Sequence, residues 1–129
     1  MADVRIDANG VPKGAVIEQV GAVLHRSGVT EVDAGDPVSA SDGVDAAGFL
    51  AVDFDLDVTL GGTDPLLEVT PLFLDAVAES WFRGESAFFT SSGRYRLRTE
   101  ARGATVFLAV TALEGDTPTL DLDVWASVS

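Results

Sequence analysis

His25 is the only histidine in the chain and sits in the apolar run Val23-Leu24-His25. Nucleophilic catalysis needs a base beside its nucleophile, and a lone histidine in this setting reads as a partly buried or surface side chain. No Gly-x-Ser-x-Gly elbow occurs, and no glycine-rich loop runs into Lys-Ser or Lys-Thr. With no cysteine, thiolate nucleophiles, thiolate metal sites and disulfides are all excluded. The sequence therefore points away from an enzyme and offers no catalytic residue.

Three other groups carry charge or aromatic surface. Asp53, Asp55, Asp57, Asp121 and Asp123 offer hard oxygen ligands of the kind Ca²⁺ takes. Alternate residues of one strand lie roughly 7 Å apart, so a single ion needs carboxylates from neighbouring strands or loops. Asp33, Asp36, Asp42 and Asp45 lack the EF-hand spacing. The aspartates read first as solvated strand faces, with Ca²⁺ as the weaker alternative and no other cofactor implied. Arg94, Arg96 and Arg98 form a complementary basic row. Opposite charges across strands contribute only about 0.2–1 kcal/mol each. Within one subunit such pairing is a surface ladder; between subunits it sets register and partner choice more than affinity. Trp125 falls by parity on the face of Asp121 and Asp123, away from the Leu/Val face. An outward tryptophan serves as an interface anchor or as a platform for stacking sugars. Phe107 lies in Val106–Val110, which is apolar on both faces, as in a central strand or one covered by a partner. Trp81, Phe82, Phe88 and Phe89 read as core or loop packing.

These side chains sit on segments with strand periodicity. In Val52–Val58 the apolar Val52, Phe54, Leu56 and Val58 alternate with the three aspartates. Leu120–Val128 repeats the pattern, with Leu120, Leu122, Val124, Ala126 and Val128 inward. Arg94–Thr99 places Tyr95 and Leu97 opposite the arginines. Leu66–Thr70 and Phe88–Thr90 read as shorter strands, and Leu74–Phe82 as one or two helical turns. Ala15–His25 reads as two short strands broken at Gly21, rather than a helix, because Val and Ile dominate it. Val4–Ile6 is too short to bury much, and Asp33–Ala47 is a turn-rich connection. A weak internal repeat relates Leu56-Asp-Val-Thr59, a glycine loop and Thr63-Asp-Pro65-Leu66 to Leu108-Ala-Val-Thr111, a loop with Gly115 and Thr117-Pro118-Thr-Leu120. Each copy reads as a hairpin, with proline opening the second strand.

At 129 residues, 47% hydrophobic and 22% charged, the chain fits one globular domain. The expected organisation is an irregular N-terminal arm and long loop, residues 1–48, and a core of residues 49–129. The expected fold is all-β, a single-domain antiparallel β-sandwich of jelly-roll type. Twenty-one acids against eight bases give a net charge of −13, which repels phosphate backbones and anionic membranes. Fourteen acids are aspartate, and Lys13 is the only lysine. An aspartate-rich, lysine-poor surface suits a chain that stays soluble in molar salt, where the Debye length falls to about 3 Å. No apolar run approaches the length of a membrane span, and Met1-Ala2-Asp3 does not read as the start of a signal peptide.

A family resemblance enters with the turn-and-strand pattern of residues 49–129. Leu56-Asp57-Val58-Thr59 is followed by Gly62-Thr63-Asp64-Pro65-Leu66 and an extended segment to Trp81. Then come Gly93-Arg94-Tyr95-Arg96-Leu97-Arg98 and Gly115-Asp116-Thr117-Pro118-Thr119-Leu120. This resembles small β-sandwich virion proteins of tailed viruses of bacteria and archaea. Ala78-Glu79-Ser80-Trp81 replaces the Asp-Gly-Thr-x-Trp turn common in such proteins. The resemblance implies a non-enzymatic virion component: a capsid decoration, head–tail or tail-associated subunit. It implies self-assembly and packing on partners such as major capsid or tail proteins. Together with the aspartate bias it points to a halophilic host. The expected contact surfaces are the arm, Arg94, Arg96, Arg98, Trp125 and Phe107. The alternative is a carbohydrate-binding or adhesion module.

Overall fold

Alternation of apolar and charged residues produces strands here, and two of them are much longer than the sequence pattern indicates. The computed structural model describes residues 22–37, 39–75, 77–101 and 105–129. Their strands are β1 Val23–Val29, β2 Val44–Asp45, β3 Ala51–Asp75, β4 Ser80–Arg83, β5 Ala87–Phe89, β6 Gly93–Glu100 and β7 Thr105–Val128. All belong to one antiparallel sheet. β3 and β7 form its spine and pair from Val52↔Val128 to Leu74↔Thr105. The first half of β3 is flanked by β6, and its second half by β5 and β4. β1 flanks the end of β7, and β2 its start. The expected all-β class is the observed one.

Val52, Phe54, Leu56 and Val58 are buried, as are Leu120, Leu122, Val124 and Ala126. They join Leu67, Val69, Phe73, Val106, Leu108 and Val110 in a single hydrophobic cluster. Residues from both ends of the β3–β7 ribbon thus share one core.

The internal repeat forms no hairpins. Its two glycine segments lie against each other in the middle of the ribbon, where each strand carries one extra residue. From Gly61↔Thr119 to Thr63↔Asp116, β7 advances three residues and β3 two; from there to Leu66↔Glu114, β3 advances three and β7 two. Paired bulges bend both strands at one place. Positive φ angles at Gly62 (96°), Asp64 (51°), Gly115 (129°) and Thr117 (47°) make the bend. Pro65 and Pro118 sit at these bulges, inside strands and not at their starts, where a missing N–H costs little. A Cβ on Gly62 would lie 2.6 Å from the Thr117 carbonyl oxygen, and one on Gly115 2.9 Å from that of Asp64. Gly62→Ala is therefore expected to cost about 3 kcal/mol in urea unfolding, from strain plus the clash. Gly28→Ala, at φ 64° with nothing within 4 Å of the added carbon, should cost only about 1 kcal/mol. Equal losses for the two would refute the tight backbone contact.

Leu74–Phe82 holds one turn and no longer helix among its described residues: the Glu79 N–H donates to the Asp75 carbonyl at 2.7 Å, the Asp75 carboxylate accepts the Val77 and Ala78 N–H groups, and the chain reverses into β4. Two further expectations change. Within residues 1–48, Val23–Val29 and Val44–Asp45 are strands of the sheet, so the segment is not simply an irregular arm. Val4–Ile6, the expected strand before Gly21, Lys13 and the first 21 residues of the arm lie outside the described residues. Phe82 (53% exposed) and Phe88 (59%) are on the surface and not in the core: Phe82 lies on the outer strand β4 beside Phe73, and Phe88 shares a face with Glu68, opposite the Ala87 and Phe89 that pack on the core.

Candidate functional site

Register across β6, β3 and β7 converts the charged residues into rows on one face. Arg94, Asp57 and Asp123 form one row; Arg96, Asp55, Trp125 and Leu24 the next; Arg98, Asp53 and Ser127 the third. Residues directly opposite in antiparallel strands share a face, so the spacing of two along each strand dictates this grid. Arg98 Nη1 donates to both Asp53 oxygens at 3.0 and 3.2 Å. Arg96 donates through Nε to Asp55 Oδ1 at 2.7 Å and through Nη2 to Oδ2 at 3.3 Å. Hydrogen bonding to Asp55, and then that carboxylate's charge, pushes the Arg96 pKa up. Arg94 sits 4.0 Å from Asp57. The arginine and aspartate rows thus pair within the chain, as a surface ladder. Asp53 departs from the solvated reading, being buried beneath Arg98. Asp123 accepts the Gly28 N–H at 2.8 Å and the Ser27 hydroxyl at 3.2 Å, which relieves its placement opposite Asp57. Among the described residues no three His, Asp or Glu side chains group together as a metal site. Asp121 faces Thr59 at the bend.

Trp125 is outward and half-buried, as its parity requires. It lines an open groove of about 640 Å³ with Ala22, Asp55, Leu56, Asp57, Arg94, Tyr95 and Arg96. An aromatic face beside a carboxylate and a guanidinium provides stacking surface and directional hydrogen bonds together.

A second constellation lies on the outer edge of β7, between the part covered by β2 and the part covered by β1. There Leu108 and Val110 present backbone groups that no strand among the described residues pairs. His25 Nε2 accepts the Leu108 N–H at 3.1 Å, and Arg26 Nη1 donates to the Leu108 carbonyl at 3.1 Å. Asp33 Oδ2 accepts the Val110 N–H at 2.6 Å, and the Asp33 N–H donates to the Val110 carbonyl at 2.9 Å. Arg26 and Asp33 lock to each other through two 2.7 Å hydrogen bonds. Three side chains and one backbone N–H therefore satisfy four edge groups that would otherwise be open to a foreign strand. Burial, and then the Arg26 charge, push the His25 pKa down to about 4, so the ring is neutral, with its proton on Nδ1.

Phe107 packs beneath this clasp. Arg26 lies 4.6 Å from its ring centroid, His25 5.3 Å and Trp81 6.3 Å. The second apolar face of Val106–Val110 is thus covered at Phe107 by the chain itself. Sequence reasoning singled out His25 but missed Arg26 and Asp33. Asp33 and Val110 are 77 residues apart, and no local spacing links them. The nearest signal was the both-face apolarity of Val106–Val110, which demands cover.

No protein-family model matches this sequence, no curated protein matches it, and no solved structure matches its fold. Among the described residues no helix is long and apolar enough to cross a membrane.

Proposed function

We propose that this chain is a non-enzymatic structural subunit of a virion, acting by packing on copies of itself and on other virion proteins such as a major capsid or tail protein. In this reading the bent ribbon closes as a small jelly-roll-like β-sandwich. The single core drawn from both sides of the bend supports that closure. One observation carries the functional reading: the groups best suited to chemistry are used to hold the fold. His25, Arg26 and Asp33 are spent on the edge of β7, and Asp53 and Asp55 on Arg98 and Arg96. Leu24, Leu50, Phe82 and Phe88 remain more than half exposed, which suits packing contacts. The sequence resemblance supplies the virion setting, and the net charge of −13 supplies the halophilic one.

Light scattering of the purified protein in about 2 M and about 0.1 M KCl tests this. The expected result is a defined oligomer in high salt that is lost in low salt. A folded monomer under both conditions would contradict it. The groove at Trp125 favours a second reading, a carbohydrate-binding module. A monomer whose tryptophan fluorescence is quenched by glycans would establish that reading instead.

A further inference from the structure

We propose that the open edge of β6 is a self-pairing surface, through which two copies of this chain join antiparallel about a two-fold axis at Leu97. This rests on the assembly reading above and names its partner as a second copy. Among the described residues β6 pairs with β3 alone, over Gly93–Glu100. The Ala101 N–H donates to the Leu50 carbonyl at 2.9 Å. Bonding alternates along an antiparallel ladder, so Tyr95, Leu97 and Thr99 also bond toward β3. The N–H and C=O groups of Arg94, Arg96, Arg98 and Glu100 then point the other way, as a template for another strand.

Charge is an ordinary guard on such an edge. Here that guard is largely cancelled, because Asp55 holds Arg96 and Asp53 holds Arg98. Glu100 at the far end adds the opposite sign.

Symmetry then selects the register. Centred on Leu97, all four outward-bonding residues find partners within the strand. Arg94 faces Glu100 of the partner subunit at both ends, and Arg96 faces Arg98 of the partner subunit in between. Each central row reads minus, plus, plus, minus from aspartate to aspartate and sums to zero. Centring on Arg96 or Arg98 instead moves a strand end off its partner and leaves outward backbone groups at that end unpaired. On the other face the same register sets Leu97 against its copy and Tyr95 against Thr99 of the partner subunit. These are non-hydrogen-bonded positions, where side chains approach most closely. Tyr95 and Leu97 already pack on the core, so the pairing extends it across the axis.

The test is sedimentation equilibrium of the full chain at the lowest salt in which its assembly persists. Glu100→Arg puts like charges at both ends and is expected to raise the dimer dissociation constant about tenfold or more. The double variant R94E/E100R should return it to the parent value. Arg96→Pro removes an outward N–H and leaves the bonds to β3, and should abolish the dimer. Glu100 is exposed, so E100R keeps the test valid if R96P does not fold. An oligomer indifferent to E100R overturns the β6 interface and leaves the assembly reading standing. Loss without recovery in R94E/E100R overturns the Leu97 register. A parent chain that is monomeric in every salt overturns both.

Discussion

Asp33→Ala is expected to destabilise the fold by about 3 kcal/mol, the largest effect of any single side chain in the β7 clasp. The substitution leaves Arg26 without its carboxylate, although that guanidinium is only 16% exposed. It also leaves the Val110 N–H without its 2.6 Å acceptor. A guanidinium this deep cannot recover full hydration without pulling away from Phe107 and the Leu108 carbonyl. Asp33→Asn, which keeps an acceptor and loses the charge, should cost about half as much. Urea unfolding with an unchanged slope measures both. A loss below about 1 kcal/mol for Asp33→Ala would mean that the clasp is a surface ion pair of the ordinary weak kind.

Stability should also fall on mild acidification, through His25. The folded chain keeps this ring neutral down to about pH 4, whereas the unfolded chain protonates it near pH 6.5. Between those values the unfolded state binds more protons, so stability decreases as pH decreases. The expected loss is about 2 kcal/mol by pH 5 and about 3 kcal/mol at pH 4. His25 is the only histidine, so the upper part of this window, above the carboxylate range, belongs to it. Protonation there removes the acceptor for the Leu108 N–H and places a second positive charge beside Arg26. His25→Gln retains an acceptor and cannot titrate. Its unfolding free energy should be nearly flat from pH 6.5 to pH 5, while the parent's slopes downward. Parallel curves for the two proteins would show that the imidazole does not stay neutral in the fold.

Both predictions concern a cluster that was only partly legible in the sequence. Alternation at Val52–Val58, Arg94–Thr99 and Leu120–Val128 indicated which faces are buried, because a strand places successive side chains on opposite sides whatever its neighbours are. Pairing of the arginine row with an aspartate row followed from the same parity, and so did the outward direction of Trp125. By sequence alone the glycine segments read as hairpin turns, since Gly, Asp and Pro between apolar runs are what a turn requires. A bulge uses the same residues for the same reason, a positive φ, and the difference is visible only when the opposite strand carries a matching bulge.

The sequence by itself determined the strand segments Val52–Val58, Arg94–Thr99 and Leu120–Val128, their buried faces, the acidic surface and the charge complementarity between the arginine and aspartate rows. These are consequences of local period and composition. Only the tertiary structure decided that β3 and β7 run together as one bent ribbon, that Phe82 and Phe88 stay outside, and that His25, Arg26 and Asp33 close the edge of β7. Each of those depends on which backbone groups are left unpaired after the strands have chosen neighbours. Sequence distances of 77 to 83 residues carry no local trace of that choice.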